Sequence, residues 1–492
     1  MSRSAATSEP MSPMDLLLFR GEHDARRRAT ACAILVLDGR PEWDDVCLVF
    51  ERASREFLRL RQHVVEPSGG LGPARWVTDP DFDLHYHLRR VRLPARATLR
   101  TLLDALPPLL MAPLDTARPL WEATLYEGLA GGRSALVFKG SHALADGLGG
   151  MQVLGRMLEL EPDAPPRPMP PAPVPEDVTA DELAIEALRA WPRTALAGAA
   201  QVAGRAITLG VRLWRDDSLA LDYVRSLRRV LEAGGEGSPL LAGRGLSRRL
   251  LHVECGLDPL RRAAKAAGGS LNDAYLAALC GALGRYHERL GLPVETLPLG
   301  MPISTRRPDD PVGGNHFVGG LLAAPIGEPD PRRRIGILRE TVRALRDEDA
   351  LSFLEQAAPV LARLPKEVLA RVHASLPLPD VQASNVPGLR QDVYFAGARV
   401  EKMLAVGPVP GIALMVVLVS HGDVCSLTVN YDPAAITEPA LFETCLEEAL
   451  AEVLALDPEA RRATSPERAP AREARTTANA PPAPAASPES AS

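Results

Sequence analysis

The run Pro162–Pro175 (PDAPPRPMPPAPVP) constrains this chain more than any other feature, because eight of its 14 residues are proline. Proline locks φ and lacks an amide hydrogen, so neither a helix nor an inner strand can pass through such a stretch. It reads as an extended linker. A second segment, Pro458–Ser492, holds seven prolines and 11 alanines in 35 residues, and it lacks side chains large enough to build a core. It is expected to be a disordered tail. The rest has ordinary globular composition, 46% hydrophobic and 24% charged. At about 150 residues per domain, 492 residues are too many for one core.

The two parts flanking the linker are alike in style. Ala31–Leu37 and Ser134–Lys139 are β-type runs, and a glycine-rich helix start follows the second. Beyond residue 246, Ser270–Leu283 is an Ala- and Leu-rich buried helix, while Leu297–Ile303 and Leu414–Val419 read as buried strands. Thr179–Leu231 is helical by pattern. The expected division is a first α/β lobe over residues 1–161, linker and helical connection over 162–245, a second α/β lobe over 246–457, and the tail over 458–492.

Several function classes recede. A net charge of −6 argues against nucleic acid as a partner. The N-terminus has no apolar run behind a basic stretch, and no run approaches the ~18 apolar residues of a membrane span. Six scattered cysteines (32, 47, 255, 280, 425 and 445), with no CxxC pair, read as reduced, mostly buried thiols of a cytoplasmic protein without a zinc site.

The strongest local signal is Ser141-His142-Ala143-Leu144-Ala145-Asp146-Gly147, between a strand and a helix. A histidine leaving a strand can present its ring to a cleft, and its pKa suits it to remove a proton from a hydroxyl. Asp146 can hold the loop by accepting backbone amides or an arginine. Gly147, Gly149 and Gly150 permit a tight turn and close approach of a ligand. A loop histidine beside a helix-capping aspartate gives the same pattern without chemistry. Metal binding would need a third ligand, and none is near. Other readings are equally double. Pro119-Leu120-Trp121 suits a turn feeding a core strand, and Asn272 suits either a helix N-cap or a channel wall. Arg306 suits a partner for Asp146 or a solvated site. Ser384-Asn385 is a turn by composition, and His85 and His87 fall on one face of a strand.

Taken in order, these blocks resemble the bacterial wax ester synthase/diacylglycerol acyltransferase family, within the CoA-dependent acyltransferases that carry HxxxDG. The matching blocks are Met11-Ser12-Pro13-Met14-Asp15, Trp76–His87, Pro119-Leu120-Trp121-Glu122, Leu271-Asn272-Asp273-Ala274, Met301–Arg306, Gly314-Asn315 and Ser384-Asn385-Val386-Pro387-Gly388. They run through nearly the whole folded chain. One position departs: the family usually has two adjacent histidines, and Ser141 stands at the first.

The resemblance implies two acyltransferase-like α/β lobes (mixed sheets flanked by helices) with a channel between them. It implies acyl transfer from acyl-CoA, as co-substrate, to diacylglycerol or a long-chain alcohol, with no metal or organic cofactor. His142, Asp146 and Gly147 would form the catalytic motif. Ser141, Asn272, Asp273, Ser384 and Asn385 would line the substrate or oxyanion region, and Pro119, Leu120, Trp121 and Arg306 would support them. Lipid substrates imply a peripheral membrane or lipid-droplet surface as partner. Thr194–Arg215, apolar with three arginines, suits such a surface, or equally a helix packed on the core. A silent lipid-binding homologue and a carrier-protein-dependent condensation-type acyltransferase are the competing functions.

Overall fold

The computed structural model describes residues 8–70, 73–190, 236–304, 315, 317–346 and 378–459. Arg306, Thr194–Arg215, nearly all of the tail, and residues 191–235 of the helical connection lie outside the described residues. Helix is present over 180–190, where the Thr179 hydroxyl accepts the Glu182 amide.

The strands in chain order are β1 (Glu9–Pro10), β2 (Thr30–Asp38), β3 (Gln62–Val65), β4 (Arg75–Thr78), β5 (Leu88–Ala97), β6 (Trp121–Leu129), β7 (Arg133–Ser141), β8 (Arg249–Gly256), β9 (Leu297–Ser304), β10 (Phe317–Ala324), β11 (Val381–Pro387), β12 (Tyr394–Phe395), β13 (Ala398–Val406), β14 (Leu414–His421) and β15 (Val424–Tyr431). Two six-stranded mixed sheets dominate. The first has the order β12-β13-β2-β7-β6-β5, the second β10-β9-β11-β14-β15-β8, and β1-β4-β3 form a small third sheet.

Both large sheets bury both faces, which is why their inner strands read as continuous apolar runs. In β14 every residue is buried. Leu414, Val416 and Leu418 face a core built with the helices Leu257–Ala266, Leu271–Arg289, Pro331–Arg346 and Pro439–Leu454. Met415, Val417 and Val419 point the other way, into a core shared with Phe50, Trp121 and Leu136 of the first part. The helix Leu271–Arg289 is buried nearly all round and packs closely because of its small residues. A Cβ on Gly284 would lie 2.1 Å from the Ile326 carbonyl oxygen. In the first sheet, Cys32, Ile34 and Val36 of β2 meet Leu102, Leu103 and Leu106, while Leu35 and Leu37 face Val46, Val49 and Phe50.

Three expectations change here. The division at residue 245 does not separate the sheets, because β13 pairs antiparallel with β2 from Arg399↔Asp38 to Val406↔Cys32. A strand of the late segment thus completes the early sheet, since an apolar strand goes wherever an open edge and a matching face exist. Ser384 and Asn385 are not in a turn. They lie in β11, parallel to β14 and opposite Val417 and Leu418, because ladder hydrogen bonds satisfy the backbone whatever the side chain. His85 and His87 belong to one helical turn, Leu84–His87, capped by Asp83, so only His87 is buried.

The proline-rich run has no regular structure, as its composition requires. It is tied along the first part: Arg167 donates to the carbonyls of Arg156 and Leu158, and Arg55 donates to the Pro170 carbonyl.

Candidate functional site

The HxxxDG segment begins where β7 runs out of partners. The β2–β7 ladder ends at Thr30↔Ser141, and one further bond carries it to the Ala29 carbonyl, which accepts the His142 amide at 2.9 Å. The chain then turns. The Leu144 amide donates to the Ser141 carbonyl at 3.0 Å, and the Ala143 amide to the Ser141 hydroxyl at 3.2 Å. Asp146 is the N-cap of the helix Gly147–Met157, its carboxylate accepting the Gly149 amide at 2.7 Å. The capping carboxylate is also close enough for its charge to act on His142.

His142 is half-buried, and its Nδ1 is buried with no hydrogen-bond partner among the described residues. Burial holds its pKa below the ordinary histidine value, and the negative charge of Asp146 offsets this in part. The ring is therefore neutral near pH 7, the state a general base requires. Phe317 meets it edge-on, with centroids 6.5 Å apart.

The Ser141 hydroxyl is engaged within the protein. It is buried and donates to Glu22 Oε1 at 2.8 Å. Thr30 donates to Glu22 Oε2 at 3.3 Å, and the Arg28 guanidinium lies 4.0 Å away. Burial nevertheless raises the Glu22 pKa. The serine that replaces the usual histidine thus anchors the loop from beneath.

Pro119-Leu120-Trp121 supports the loop directly. The Leu120 carbonyl accepts the Ser141 amide at 3.0 Å. Trp121 is fully buried, stacks on His87 (4.5 Å), Phe50 (5.6 Å) and Phe138 (5.7 Å), and donates from Nε1 to the Leu60 carbonyl.

Residues from beyond the linker close the site. A Cβ on Gly147 would stand 3.3 Å from Val386 Cγ2 in β11, so glycine there lets the helix start approach the Ser384–Gly388 segment. Asn272 is half-buried and is not the helix cap. Ser270 is, and Asp273 completes its capping box by accepting from the Ser270 amide and hydroxyl, both at 2.8 Å. The Asp273 carboxylate is thereby committed to the helix start. The pairing of Asp146 with Arg306 falls outside the described residues.

Sequence reasoning missed two participants. Glu22 carried no motif. Asn315 did stand in the Gly314-Asn315 pair, but nothing local showed what it would touch. Its side-chain amide donates to the His142 carbonyl at 2.6 Å and to Asp15 Oδ1 at 2.8 Å.

Comparison with known proteins gives a consistent picture. Residues 11–275 match the model of the wax ester synthase/diacylglycerol acyltransferase catalytic domain, and residues 313–453 match that of the WS/DGAT C-terminal domain. The chain is 46% identical over 460 residues to a Mycobacterium tuberculosis H37Rv protein provisionally named diacylglycerol O-acyltransferase Rv2484c, covering 92% of this chain and 93% of that one. It is 32% identical over 397 residues to the M. tuberculosis protein tgs2, provisionally named in the same way, covering 75% and 81%. In fold it is similar to the wax ester synthase/diacylglycerol acyltransferase from Marinobacter aquaeolei VT8, with a TM-score of 0.60 at 22% identity over 90% of this chain and 98% of that one. It is also similar to the first condensation domain of the calcium-dependent antibiotic synthetase, with a TM-score of 0.62 at 16% identity over 92% and 99%.

Proposed function

Since the chain belongs to the wax ester synthase/diacylglycerol acyltransferase family, we propose that it transfers a fatty acyl group from acyl-CoA to the hydroxyl of a diacylglycerol or a long-chain alcohol, with His142 as general base. The observation that carries this reading is the setting of His142: a half-buried imidazole on the loop just after a core strand, its backbone fixed on both sides, its charged form disfavoured by burial, and its Nδ1 without a partner among the described residues.

The chemistry follows from that state. The neutral ring takes the hydroxyl proton as the oxygen attacks the thioester carbonyl, and the C–S bond breaks. The imidazolium returns its proton to the departing CoA thiolate, so no charge is left behind. Donors near the loop, with Asn272 as the side-chain candidate, meet the charge that builds on the carbonyl oxygen. Ser384 and Asn385 precede Val386 in β11, the strand that approaches the helix start at Gly147, and are read as part of the substrate's path. Gly147 keeps that approach open. Direct attack requires no covalent acyl-enzyme, and the thioester supplies the driving force, so the reaction needs no resident metal or organic cofactor.

Such acceptors dissolve in membranes, so the protein meets them at a bilayer or lipid-droplet surface. The apolar, arginine-bearing sequence of Thr194–Arg215 supports that reading. No helix among the described residues is long and apolar enough to cross a membrane.

The test is thiol release and ester formation from palmitoyl-CoA with hexadecanol or dioleoylglycerol. His142→Ala should lower kcat by about 10²–10⁴-fold. The acid limb of kcat/KM should lie below the ordinary histidine pKa, because burial disfavours the imidazolium. Equal turnover by wild type and His142→Ala would remove the base. Turnover only with an acyl-carrier protein would favour the condensation-type reaction.

A further inference from the structure

The hydrogen bonds around His142 come from two distant parts of the chain. Its amide is held from the first part, by the Ala29 carbonyl at 2.9 Å. Its carbonyl is held from the second, by the Asn315 side chain at 2.6 Å, across 173 residues. The same Asn315 nitrogen donates its other hydrogen to Asp15 Oδ1 at 2.8 Å, across 300 residues. Asp15 is buried in the first turn of the helix Pro13–Gly21, where its amide donates to the Ser12 hydroxyl. Two residues after Asn315, Phe317 opens β10 and sets its ring edge-on to the His142 imidazole.

Asparagine suits this place chemically. Both neighbours are acceptors, so the amide orientation is fixed and both N–H groups are used. Aspartate would set a second carboxylate against Asp15 and a lone pair against the His142 carbonyl. Alanine would leave that carbonyl without this donor. The cost of the arrangement is visible, because Asn315 Oδ1 is buried with no partner among the described residues. A residue that only tied the fold together would gain by satisfying that oxygen.

We propose that Asn315 is a positioning residue for His142: it grips the main chain of the base and so makes the ring's placement depend on the second part of the molecule. The proposal rests on the reading of His142 as the base, but its structural half stands independently of any turnover. Without the clasp, the loop leaves the buried arrangement that holds the imidazole neutral. The ring then samples several orientations, and its pKa climbs back toward the ordinary value.

The experiment uses two readouts on the full chain. The first is steady-state acyl transfer from palmitoyl-CoA to hexadecanol or dioleoylglycerol by Asn315→Ala and Asn315→Asp. The second is the ¹³Cε1 histidine NMR signal of His142, assigned by its loss in His142→Ala and followed against pH. Expected are a kcat reduced by about 10–100-fold, KM values changed by less than about threefold, and a melting temperature within about 3 °C of wild type. The His142 signal should broaden or split in both variants and titrate at higher pH, moving the acid limb of kcat upward. Asn315→Asp should be the worse of the two, and adding Asp15→Asn should not restore it, because the bond to the His142 carbonyl stays lost. An unmoved His142 signal overturns the proposal, whatever happens to turnover. So does a moved signal with kcat unchanged in an active enzyme. If wild type transfers no acyl group while the signal moves as expected, the acyltransferase reading falls and the clasp stands.

Discussion

Two strands of this molecule, one in each large sheet, lead out through a histidine, the residue after β7 and the last of β14, and the two histidines are treated in opposite ways. Just after β7, His142 has a fixed backbone and a ring whose buried Nδ1 has no partner among the described residues. At the end of β14, His421 has both ring nitrogens at carbonyl oxygens, Leu389 at 2.7 Å and Val400 at 3.0 Å. Val400 belongs to β13 and Leu389 to the segment just after β11, so His421 stitches the second sheet to the strand it lends to the first. A ring whose nitrogens are both occupied is mortar. The His142 ring, by contrast, is held through its main chain and has no bond at its buried Nδ1 among the described residues. The difference lies in what surrounds each ring rather than in the residue type.

The widest separation should come from exchanging each histidine for alanine. His142→Ala abolishes most turnover and leaves the melting temperature within about 2 °C, since burying a polar ring brought no net hydrogen bonding at Nδ1. His421→Ala does the reverse. It costs about 1–3 kcal/mol, because buried carbonyls lose a donor, although Leu389 keeps the Gly422 amide. Its kcat per folded molecule should stay within about threefold of wild type. Thermal melting alongside the acyl-transfer assay checks both, and a His421→Ala variant that is stable but inactive would break the contrast.

A smaller effect sharpens the picture beneath the loop. Ser141→Ala removes the hydroxyl that donates to Glu22 and accepts from Ala143. The expected loss is about 1–2 kcal/mol of stability with a three- to tenfold fall in kcat. If turnover is unaffected, the serine supports the fold alone.

The smallest effect concerns Glu22. Burial raises its pKa above the usual 4.5, so ionising it costs more in the folded than in the unfolded chain. Its contribution to stability is complete below the ordinary carboxyl value and is lost as pH rises through the raised one. Glu22→Gln keeps an acceptor for Ser141 but never ionises. It should raise the melting temperature by about 1–3 °C at pH 8 and by almost nothing at pH 4, as calorimetry at the two values would show. A gain at pH 4 as large as that at pH 8 would contradict the burial argument.

Much of the framework was legible from residues alone. β2, β7, β9 and β14 are continuous apolar or β-branched runs because each is buried on both faces. The helix from Leu271 was legible from its run of Ala and Leu, although its cap is Ser270 and not Asn272. His142 could be placed on a strand-to-helix loop, because glycine and aspartate punctuate the chain there. The polar strand residues Ser384 and Asn385 were misread as a turn, since composition reports side chains while the β11–β14 ladder depends on backbone alone. His87 was placed on a strand because two-residue spacing says nothing of the Asp83 cap that starts a helical turn.

The sequence by itself determined which segments bury themselves and which cannot. It also determined where a histidine leaves a strand, because periodicity, proline and glycine act over a few residues. Only the tertiary structure decided that β13 would complete the first sheet, that Ser141 would meet Glu22 across 119 residues, and that Asn315 would reach His142 across 173. Those choices depend on which open edge or unsatisfied acceptor lies within reach once the sheets have packed, and no local pattern in a chain encodes that distance.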